Sequence, residues 1–368
     1  MRPGIAGSGG QRERTREARR RSSPRVTVVI PTHQYGRYLP GCVASVLGQH
    51  GVDLDVLIVD DASTDETATI TDALLAADDR IQVIRHRRNH GHIATFDEGL
   101  FAATGTYVVK LDADDLLPAG ALARATELLD ACPDVGFVSG RPVHFRGDAP
   151  PRRALGSSRV RSWTVWSGHD WIAARCRAGC NTISNPEVVM RAEVMRAAGG
   201  QKACVPHTSD FELWLQMAAL ADVGRVNGPA QGCYREHDQS MQRTIHAGLL
   251  MDLVGLRDAY ASAFAGAAGT LADADELHAT ARRRLAAIAL DLACRAYDRP
   301  SSPLPVDELV AFAHDVWPDT ESLAEWQRLL RRRRARSAIA QKRFVGRAIS
   351  RRAAEEVNRW QWQRTGRR

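Results

Sequence analysis

Three aspartates stand close together directly after a hydrophobic run. Asp112, Asp114 and Asp115 follow Tyr107-Val108-Val109 within a few residues. Several carboxylates at the end of a buried strand are unfavourable unless a cation lies among them. A hard divalent cation such as Mg2+ or Mn2+ binds oxygen ligands and is commonly shared with substrate phosphates. The stretch therefore indicates a metal site, and the alternative is a solvated turn in which Asp115 caps the next helix.

A second acidic pair, Asp60 and Asp61, ends another apolar run, Val56–Val59. In an open α/β sheet, ligands bind at the carboxyl ends of the strands, so two acidic strand ends in one sheet predict one binding cleft. Phospho-receiver domains also gather aspartates at strand ends, with a lysine at the end of a later strand. Here the first acidic pair ends the second predicted strand, and Lys110 lies inside the strand of the second cluster. This order argues against a receiver domain.

Predicted strands and helices alternate along the chain from Val26 to Leu111. β-Branched apolar runs typical of buried strands are separated by stretches with helical apolar spacing. The predicted strands are 26–30, 56–59, 81–84 and 106–111, and the predicted helices are 38–47, 66–77 and one that ends near 103. This alternation predicts an α/β fold, a mostly parallel sheet with right-handed crossovers and helices on both faces.

The pattern changes in the second half of the chain. Before the change we predict a helix over 119–131, a strand over 135–139, a mobile loop over 146–162, a helix over 163–177, a turn and strand over 185–190 and a helix beginning at Ser209. From about Thr244 onward only helical patterns follow. We therefore predict a disordered basic leader over 1–24, an α/β domain over 25–243 and an all-α, basic C-terminal extension over 244–368.

The composition is that of a folded protein with basic ends. The 368 residues are enough for one large or two ordinary domains, and the net charge of +7 is concentrated at the two ends. The sequence has no apolar run of about 18 residues and no apolar signal region near its start. The 7 cysteines are scattered and odd in number, which argues against a disulfide scaffold. We therefore expect reduced thiols and a cytoplasmic location.

The arginine-rich segment from Arg328 to Arg343 has three interpretations. It would lie on the anionic inner face of a membrane, bind nucleic acid, or form a solvated helix packed on the rest of the chain. We expect no specific nucleic acid, and we retain peripheral contact with an anionic membrane as an interaction to test.

The order of the motifs resembles the family-2 glycosyltransferases, which are inverting enzymes with the nucleotide-sugar-binding, Rossmann-like GT-A fold. The resemblance extends from about Val26 to Arg243 and rests on short motifs in the family's order and spacing. They include Val28-Val29-Ile30-Pro31-Thr32, Ile58-Val59-Asp60-Asp61, Asn89-His90-Gly91-His92, Leu111-Asp112-Ala113-Asp114-Asp115, Ser209-Asp210-Phe211-Glu212 and Tyr234-Arg235-Glu236-His237. The resemblance implies transfer of a sugar from a nucleoside diphosphate sugar to a hydroxyl acceptor, with Mn2+ or Mg2+ as cofactor, in surface polysaccharide or glycoconjugate assembly.

The resemblance also implies roles for individual residues. The residues that would bind the donor nucleotide are Pro31, Thr32, His33, Asp60, Asp61 and Asp112. Asp114 and His237 would hold the metal, Arg235 would face the diphosphate, and Asp210 would be the catalytic base. Because Asp210 begins a helix, a helix-capping carboxylate is its alternative role. The rival function is that of a catalytically silent protein that keeps the fold and binds partners through its basic tails.

Overall fold

The computed structural model describes the backbone of Gln11–Arg14 and residues 24–238, 248–298 and 304–334 in full. This part of the chain forms two compact units. The first contains the residues up to Ile172 and those from Thr182 to 238, and the second contains Ala173–Asn181 and the residues from 248 onward. The predicted domain boundary at 243/244 falls outside the described residues, as does most of the predicted leader.

The first unit is built on a sheet of nine strands. The strands are β1 (Gln11–Arg14), β2 (Arg25–Thr32), β3 (Asp53–Asp60), β4 (Ile81–Arg85), β5 (Tyr107–Lys110), β6 (Val135–Phe145), β7 (Ser162–Trp166), β8 (Val189–Arg191) and β9 (Asp222–Arg235). Their spatial order is β1-β7-β9-β6-β8-β5-β2-β3-β4. β4, β3, β2 and β5 are mutually parallel, as are β6 and β9, whereas β8 and β7 are antiparallel to their neighbours.

Helices cover both faces of this sheet. Between Leu39 and Leu220 the helices are α1 (Leu39–Leu47), α2 (Thr67–Ala77), α3 (His92–Ala102), α4 (Ala121–Ala131), α5 (Arg152–Leu155), α6 (Gly168–Ala178), α7 (Ala192–Ala198) and α8 (Ser209–Leu220). Only the first part of α6 belongs to this unit, because its residues from Ala173 onward belong to the second unit. Val28 and Ile30 of β2 share a hydrophobic core with α1 and α4. Val29 points the other way, toward Gly99 of α3. The predicted α/β fold with a mostly parallel sheet is confirmed.

Two strands, β7 and β9, differ from what the sequence pattern predicted. The helix predicted over 163–177 is wrong at its start, because Ser162–Trp166 forms β7 and α6 begins only at Gly168. The apolar residues of β7 alternate, and its backbone groups pair with β9 and β1. β9 was not predicted at all. Its glycines and Pro229 hide the strand pattern, although its residues are mostly buried.

Two further segments are more ordered than the sequence suggested. Gln11–Arg14, within the predicted disordered leader, forms a strand antiparallel to β7. The predicted mobile loop 146–162 contains the short helix α5, and Arg141 donates hydrogen bonds to the carbonyls of Ala154 at 3.1 Å and Leu155 at 2.7 Å. Because a half-buried cationic side chain holds the backbone of this loop, the loop is tied to β6.

The second unit is helical, as predicted. Its main helices among the described residues are α9 (Leu249–Ala265), α10 (Ala274–Tyr297), α11 (Val306–Val316) and α12 (Ala324–Arg334). Arg332 and Asp298 form a buried two-point ion pair with N–O distances of 2.9 and 3.0 Å. One arginine of the predicted membrane-contacting segment is therefore used inside the unit, and the rest of that segment, from residue 335 to Arg343, lies outside the described residues.

Within the described ranges, every helix is too short or too polar to cross a bilayer. The proposed contact of the C-terminal segment with an anionic membrane surface stays a prediction.

We predict that Gly99→Ala lowers the free energy of unfolding by about 1–2 kcal/mol. Helix propensity alone would give the opposite sign, a gain of about 1 kcal/mol. However, a Cβ at Gly99 would lie 2.3 Å from Cγ1 of Val29 and 3.0 Å from Cγ2 of Val59, and overpacking costs about 1–3 kcal/mol. Urea unfolding measures the change.

The matched control is Ala94→Gly at an exposed position of the same helix. There alanine should be the more stable residue by about 1 kcal/mol, as propensity requires. If alanine proves more stable at both positions, the close packing of α3 on β2 and β3 is contradicted.

Candidate active site

The acidic turn after β5 is anchored to β9. The N–H of Asp115 donates to the carbonyl of Asp112 at 2.9 Å and closes a tight turn. Asp115 is 1% exposed, and its Oδ1 accepts a hydrogen bond from the N–H of Arg235 at 2.8 Å. Asp115 is thus a structural member of the turn. Asp112 and Asp114 keep part of their side chains exposed.

Asp114 meets His237 just beyond the end of β9. Oδ2 of Asp114 lies 2.8 Å from Nε2 of His237. The rings of Tyr35 and Tyr38 pack on the imidazole, with centroid distances of 5.7 and 5.4 Å. The structure therefore brings together the two residues predicted to hold a metal, with a carboxylate oxygen facing an imidazole nitrogen.

The three carboxylates of this turn have different protonation tendencies. Burial and the charge of Asp112 raise the pKa of Asp114, against the opposing effect of His237. Burial and both neighbouring carboxylates raise the pKa of Asp115 well above its usual range. Burial also acts against the charge of Asp112, but the ammonium of Lys110 outweighs it and lowers the pKa of Asp112. The negative charge is thus least well compensated at Asp114 and Asp115.

The donor set fits a divalent cation such as Mn2+ or Mg2+. The turn offers carboxylate oxygens and one imidazole nitrogen, which hard and borderline divalent ions accept. Oδ2 of Asp115 is buried and has no hydrogen-bond partner in the part of the chain that the structure describes. The turn therefore carries more acceptor atoms and negative charge than its protein partners satisfy.

The second acidic strand end forms a pocket floor at the end of β3. Asp61 is 2% exposed. Its carboxylate accepts hydrogen bonds from the N–H groups of His90 at 2.7 Å and Gly91 at 2.9 Å. Burial opposes its charge, but these hydrogen bonds and the one from His86 outweigh burial and lower the pKa of Asp61. Asp61 is therefore held as a carboxylate.

Three of the other predicted nucleotide-binding residues, Thr32, His33 and Asp60, lie next to Asp61 in the structure or in the chain. The carbonyl of Thr32, at the end of β2 next to Pro31, accepts the N–H of Asp61 at 2.9 Å. His33 is exposed, and its Nδ1 lies 2.8 Å from the carbonyl of Asp61. Oδ1 of Asp60 accepts the N–H of Ser63 at 3.1 Å and shapes the turn that follows.

His86 is a member of this pocket that sequence reasoning missed. Its Nδ1 lies 2.7 Å from Oδ1 of Asp61 and its Nε2 lies 2.7 Å from Oε2 of Glu98. Its ring stacks on His90 with centroids 4.2 Å apart. Asp61, His86 and His90 could together hold a cation, but both ring nitrogens of His86 already face carboxylates. The only sequence signal was its position directly after β4.

Asp210 lies at the start of α8 and faces Lys110. Oδ1 of Asp210 is 3.3 Å from Nζ of Lys110 and accepts a hydrogen bond from Nε2 of Gln201 at 2.6 Å. Nζ of Lys110 is also 3.6 Å from Oδ1 of Asp112. The predicted base and the predicted donor-side carboxylate thus share one cation. Sequence reasoning assigned no role to Lys110 or Gln201.

Arg235 has a more interior environment than the resemblance implied. Its guanidinium is buried, and its Nε donates to the carbonyl of Asp114 at 2.6 Å. One N–H of Nη1 donates to the carbonyl of Gly147, and one N–H of Nη2 donates to the carbonyl of Asp148. Arg235 therefore fixes the acidic turn and the loop after β6. Its contact with a diphosphate stays a prediction.

A short 3₁₀ turn, Asn185–Glu187, supports Asp112 from the other side. Nδ2 of Asn185 donates to Oδ2 of Asp112 at 3.2 Å. Glu187 is buried, and one of its oxygens accepts the N–H of Ser184 at 3.3 Å. Burial raises the pKa of Glu187 to about 8, against the opposing charge of Arg225. Glu187 is therefore protonated in the folded protein at neutral pH.

The fold is similar to that of solved structures with the GT-A fold. The structure of TarS from S. aureus in complex with UDP-GlcNAc has a TM-score of 0.59 and 13% identity, with 84% of this chain and 89% of TarS covered. Mannosyltransferase PcManGT from Pyrobaculum calidifontis in complex with GDP-Man and Mn2+ has a TM-score of 0.50 and 21% identity, with 85% and 86% covered. At these identities the likeness is one of fold.

Residues 27–184 match the profile of Glycosyl transferase family 2. This part of the chain is therefore similar to the family that its motifs predicted. It is 33% identical over 92 residues to glycosyltransferase GlyG of Streptococcus pneumoniae, covering 25% of this chain and 31% of GlyG. It is 32% identical over 223 residues to chondroitin synthase of Escherichia coli, covering 59% of this chain and 30% of the synthase. The chain thus spans about a third of the length of these relatives.

We predict that Glu187 makes the fold less stable as pH rises. The folded pKa of about 8 exceeds the ordinary value of 4.5, so between these values the unfolded chain releases a proton that the folded chain keeps. Rising pH then favours unfolding, by up to about 1.4 kcal/mol per pH unit for this group. Urea unfolding at pH 5, 6.5 and 8 measures the slope.

Glu187→Gln removes this proton while keeping the side-chain shape. Its free energy of unfolding should fall less between pH 5 and pH 8 than that of the wild-type protein. The comparison isolates Glu187, because Asp114 and Asp115 act in the same direction in both proteins. Parallel pH profiles for the two proteins would show that Glu187 is not buried as a neutral acid.

Proposed function

We propose that the chain is a glycosyltransferase that moves a sugar from a nucleoside diphosphate sugar to a hydroxyl acceptor, with inversion at the anomeric carbon. The observation that carries the proposal is convergence at one edge of the sheet. β3, β2 and β5 are adjacent and parallel, so Asp61 and Asp112 follow strands that end at that edge. Lys110 then joins Asp112 to Asp210.

The nucleotide end of the site would be built on Asp61. A buried carboxylate that the protein keeps ionised can accept a hydrogen bond from a base N–H. His33 stands exposed beside it, where a base could stack on the ring. Thr32 and Pro31 close the pocket from the end of β2.

The acceptor end would be built on Asp210. As the acceptor oxygen attacks the anomeric carbon, a new C–O bond forms and the bond from that carbon to the diphosphate oxygen breaks. The leaving nucleoside diphosphate takes the bonding electrons, and Asp210 takes the hydroxyl proton. Direct displacement of this kind inverts the anomeric centre, and a general base of this type contributes about 10²–10⁴-fold in rate.

Asp114 and His237 would hold the Mn2+ or Mg2+ ion, with Asp112 beside them. Such an ion, when bound, neutralises charge that develops on a diphosphate leaving group. A structure of similar fold is described in complex with GDP-Man and Mn2+, which supports the use of a divalent metal, and the choice between the two ions belongs to the proposal.

The acceptor is proposed as a sugar or lipid-linked sugar, in assembly of a surface polysaccharide or glycoconjugate. The name of one relative, chondroitin synthase, supports a place in polysaccharide assembly. We further propose that the arginine-rich C-terminal segment holds the protein at an anionic membrane surface. The rival function, a silent binding protein, has no comparable support from the contacts in the cleft.

We predict that Asp210→Asn and Asp114→Asn each lower turnover by about 10²-fold or more while the protein stays folded. The first change removes the proton acceptor, and the second removes a metal ligand and its charge. Release of nucleoside diphosphate from a panel of UDP- and GDP-sugars with Mn2+ measures the loss, and melting curves check folding.

Asp53→Asn at the start of β3 is the matched control. Asp53 is exposed and lies at the opposite end of its strand from Asp60, so its turnover should equal that of the wild-type protein. A silent binding protein would release no nucleoside diphosphate before or after any of these changes, and that result would remove the proposal.

We predict that UDP or GDP with Mn2+ raises the melting temperature of the wild-type protein by about 5 °C at roughly 100 times Kd. Asp61→Asn should lose most of the shift with and without metal, because the base contact is weakened. Asp114→Asn should lose only the part that depends on Mn2+. A shift that both variants retain in full would place the nucleotide elsewhere.

A further inference from the structure

A buried lysine connects the two ends of the cleft. The side chain of Lys110 is 3% exposed. Its Nζ lies 3.3 Å from Oδ1 of Asp210, 3.6 Å from Oδ1 of Asp112 and 4.7 Å from the centre of the Phe96 ring. Burial acts against its charge, but the two carboxylates outweigh burial and raise the pKa of Lys110. The group is therefore an ammonium ion, and it is too deeply buried to touch a substrate directly.

Gln201 contacts the same oxygen of Asp210 as Lys110 does. Its Nε2 donates to Oδ1 at 2.6 Å. Both protein contacts of the Asp210 side chain within the described ranges therefore fall on Oδ1. Oδ2 is the oxygen that stays available for the proton of an acceptor hydroxyl.

The backbone of Gln201 is itself fixed by α3. Its N–H donates to Oδ1 of Asp97 at 2.9 Å. The preceding residue, Gly200, has φ +70°, and a Cβ at this position would lie 2.9 Å from both carboxylate oxygens of Asp97. A glycine is therefore required for the chain to approach Asp97 this closely. The backbone of Gln201 is therefore held at Asp97 while its side-chain amide donates to Asp210.

We propose that Lys110 is a positioning residue that, together with Gln201, orients the base Asp210 and fixes it relative to the donor-side carboxylate Asp112. This inference rests on the proposed function and adds a residue to it. Without the ammonium, Asp112 and Asp210 would lie close together with no shared cation. Like charges repel one another, so the Asp210 side chain would no longer be held in the position that the shared ammonium gives it.

The test compares Lys110→Met, Lys110→Arg and the control Lys202→Met. Lys202 carries the same charge near the same loop and contacts neither Asp112 nor Asp210 in the described structure. Nucleoside diphosphate release from UDP- and GDP-sugars with Mn2+ gives kcat and the KM of the donor. For Lys110→Met we expect kcat to fall about 10²-fold with KM changed by less than about threefold, because misplacing a catalytic group has an effect of this size.

Rescue and a second variant separate positioning from simple loss of folding. Lys110→Arg keeps the charge and should recover about tenfold of the lost kcat. Gln201→Leu keeps Lys110 and should lower kcat in the same direction by a smaller factor. Lys202→Met should match the wild-type protein. Equal losses in kcat for Lys110→Met and Lys202→Met would overturn the inference.

A double-variant cycle tests the contact without any activity. We measure urea unfolding of Lys110→Met, Asp210→Asn and the double variant. If Lys110 holds Asp210, the unfolding constant of the double variant should differ at least about tenfold from the product of the single effects. If the effects of the two single variants on the unfolding constant are additive, the inference about Lys110 is overturned and the proposed function is not affected. Wild-type protein that releases no nucleoside diphosphate from any sugar nucleotide contradicts the proposed function, whatever the cycle gives.

Discussion

The constraint on which this structure depends is the gathering of carboxylates at one edge of a buried sheet. Such a cluster is unfavourable unless each charge has a compensating group. The carboxylate of Asp61 accepts hydrogen bonds from two backbone N–H groups and contacts the ring of His86. The carboxylate of Asp112 is paired with the ammonium of Lys110 and accepts a hydrogen bond from Asn185. The pKa of Asp115 is raised, and its carboxylate accepts a hydrogen bond from the backbone N–H of Arg235. Asp114 has His237 as its side-chain partner, and its pKa is raised, so a poorly compensated carboxylate stands where a cation would fit.

Helix α3 fixes both ends of the cleft at once. The turn that leads into it supplies the N–H of Gly91 to Asp61, its middle supplies Asp97 to Gln201, and its Phe96 ring lies against Lys110. The helix can lie this close to the sheet because Gly99 faces Val29 without a Cβ. A single packed element thus sets the nucleotide pocket and the base relative to one another.

The sequence predicted the parallel half of the fold because its signals are local. β-Branched runs at β2, β3 and β5 mark buried strands, and the acidic residues directly follow them. β9 could not be found in this way, because its glycines weaken the local strand pattern. Gly224 leaves space for Leu128, and Gly232 leaves space for the backbone of Pro186. These close approaches occur only in the folded sheet. The contacts of Lys110 and Gln201 with Asp210 have the same cause, because they join residues that only the fold brings together.

The placement of Arg235 bears on how the leaving group is screened in the proposed reaction. Its guanidinium donates to the carbonyls of Asp114, Gly147 and Asp148 and stacks between the rings of Tyr38 and Phe145. Three of its five N–H groups therefore already have carbonyl partners inside the protein. In the proposed reaction, a metal held by Asp114 and His237 would meet the charge of the leaving group, and metal binding requires an ionised Asp114. Because the pKa of Asp114 is raised, a metal ion would compete with a proton for this carboxylate. Metal binding, and donor binding with it, should therefore become tighter as pH rises.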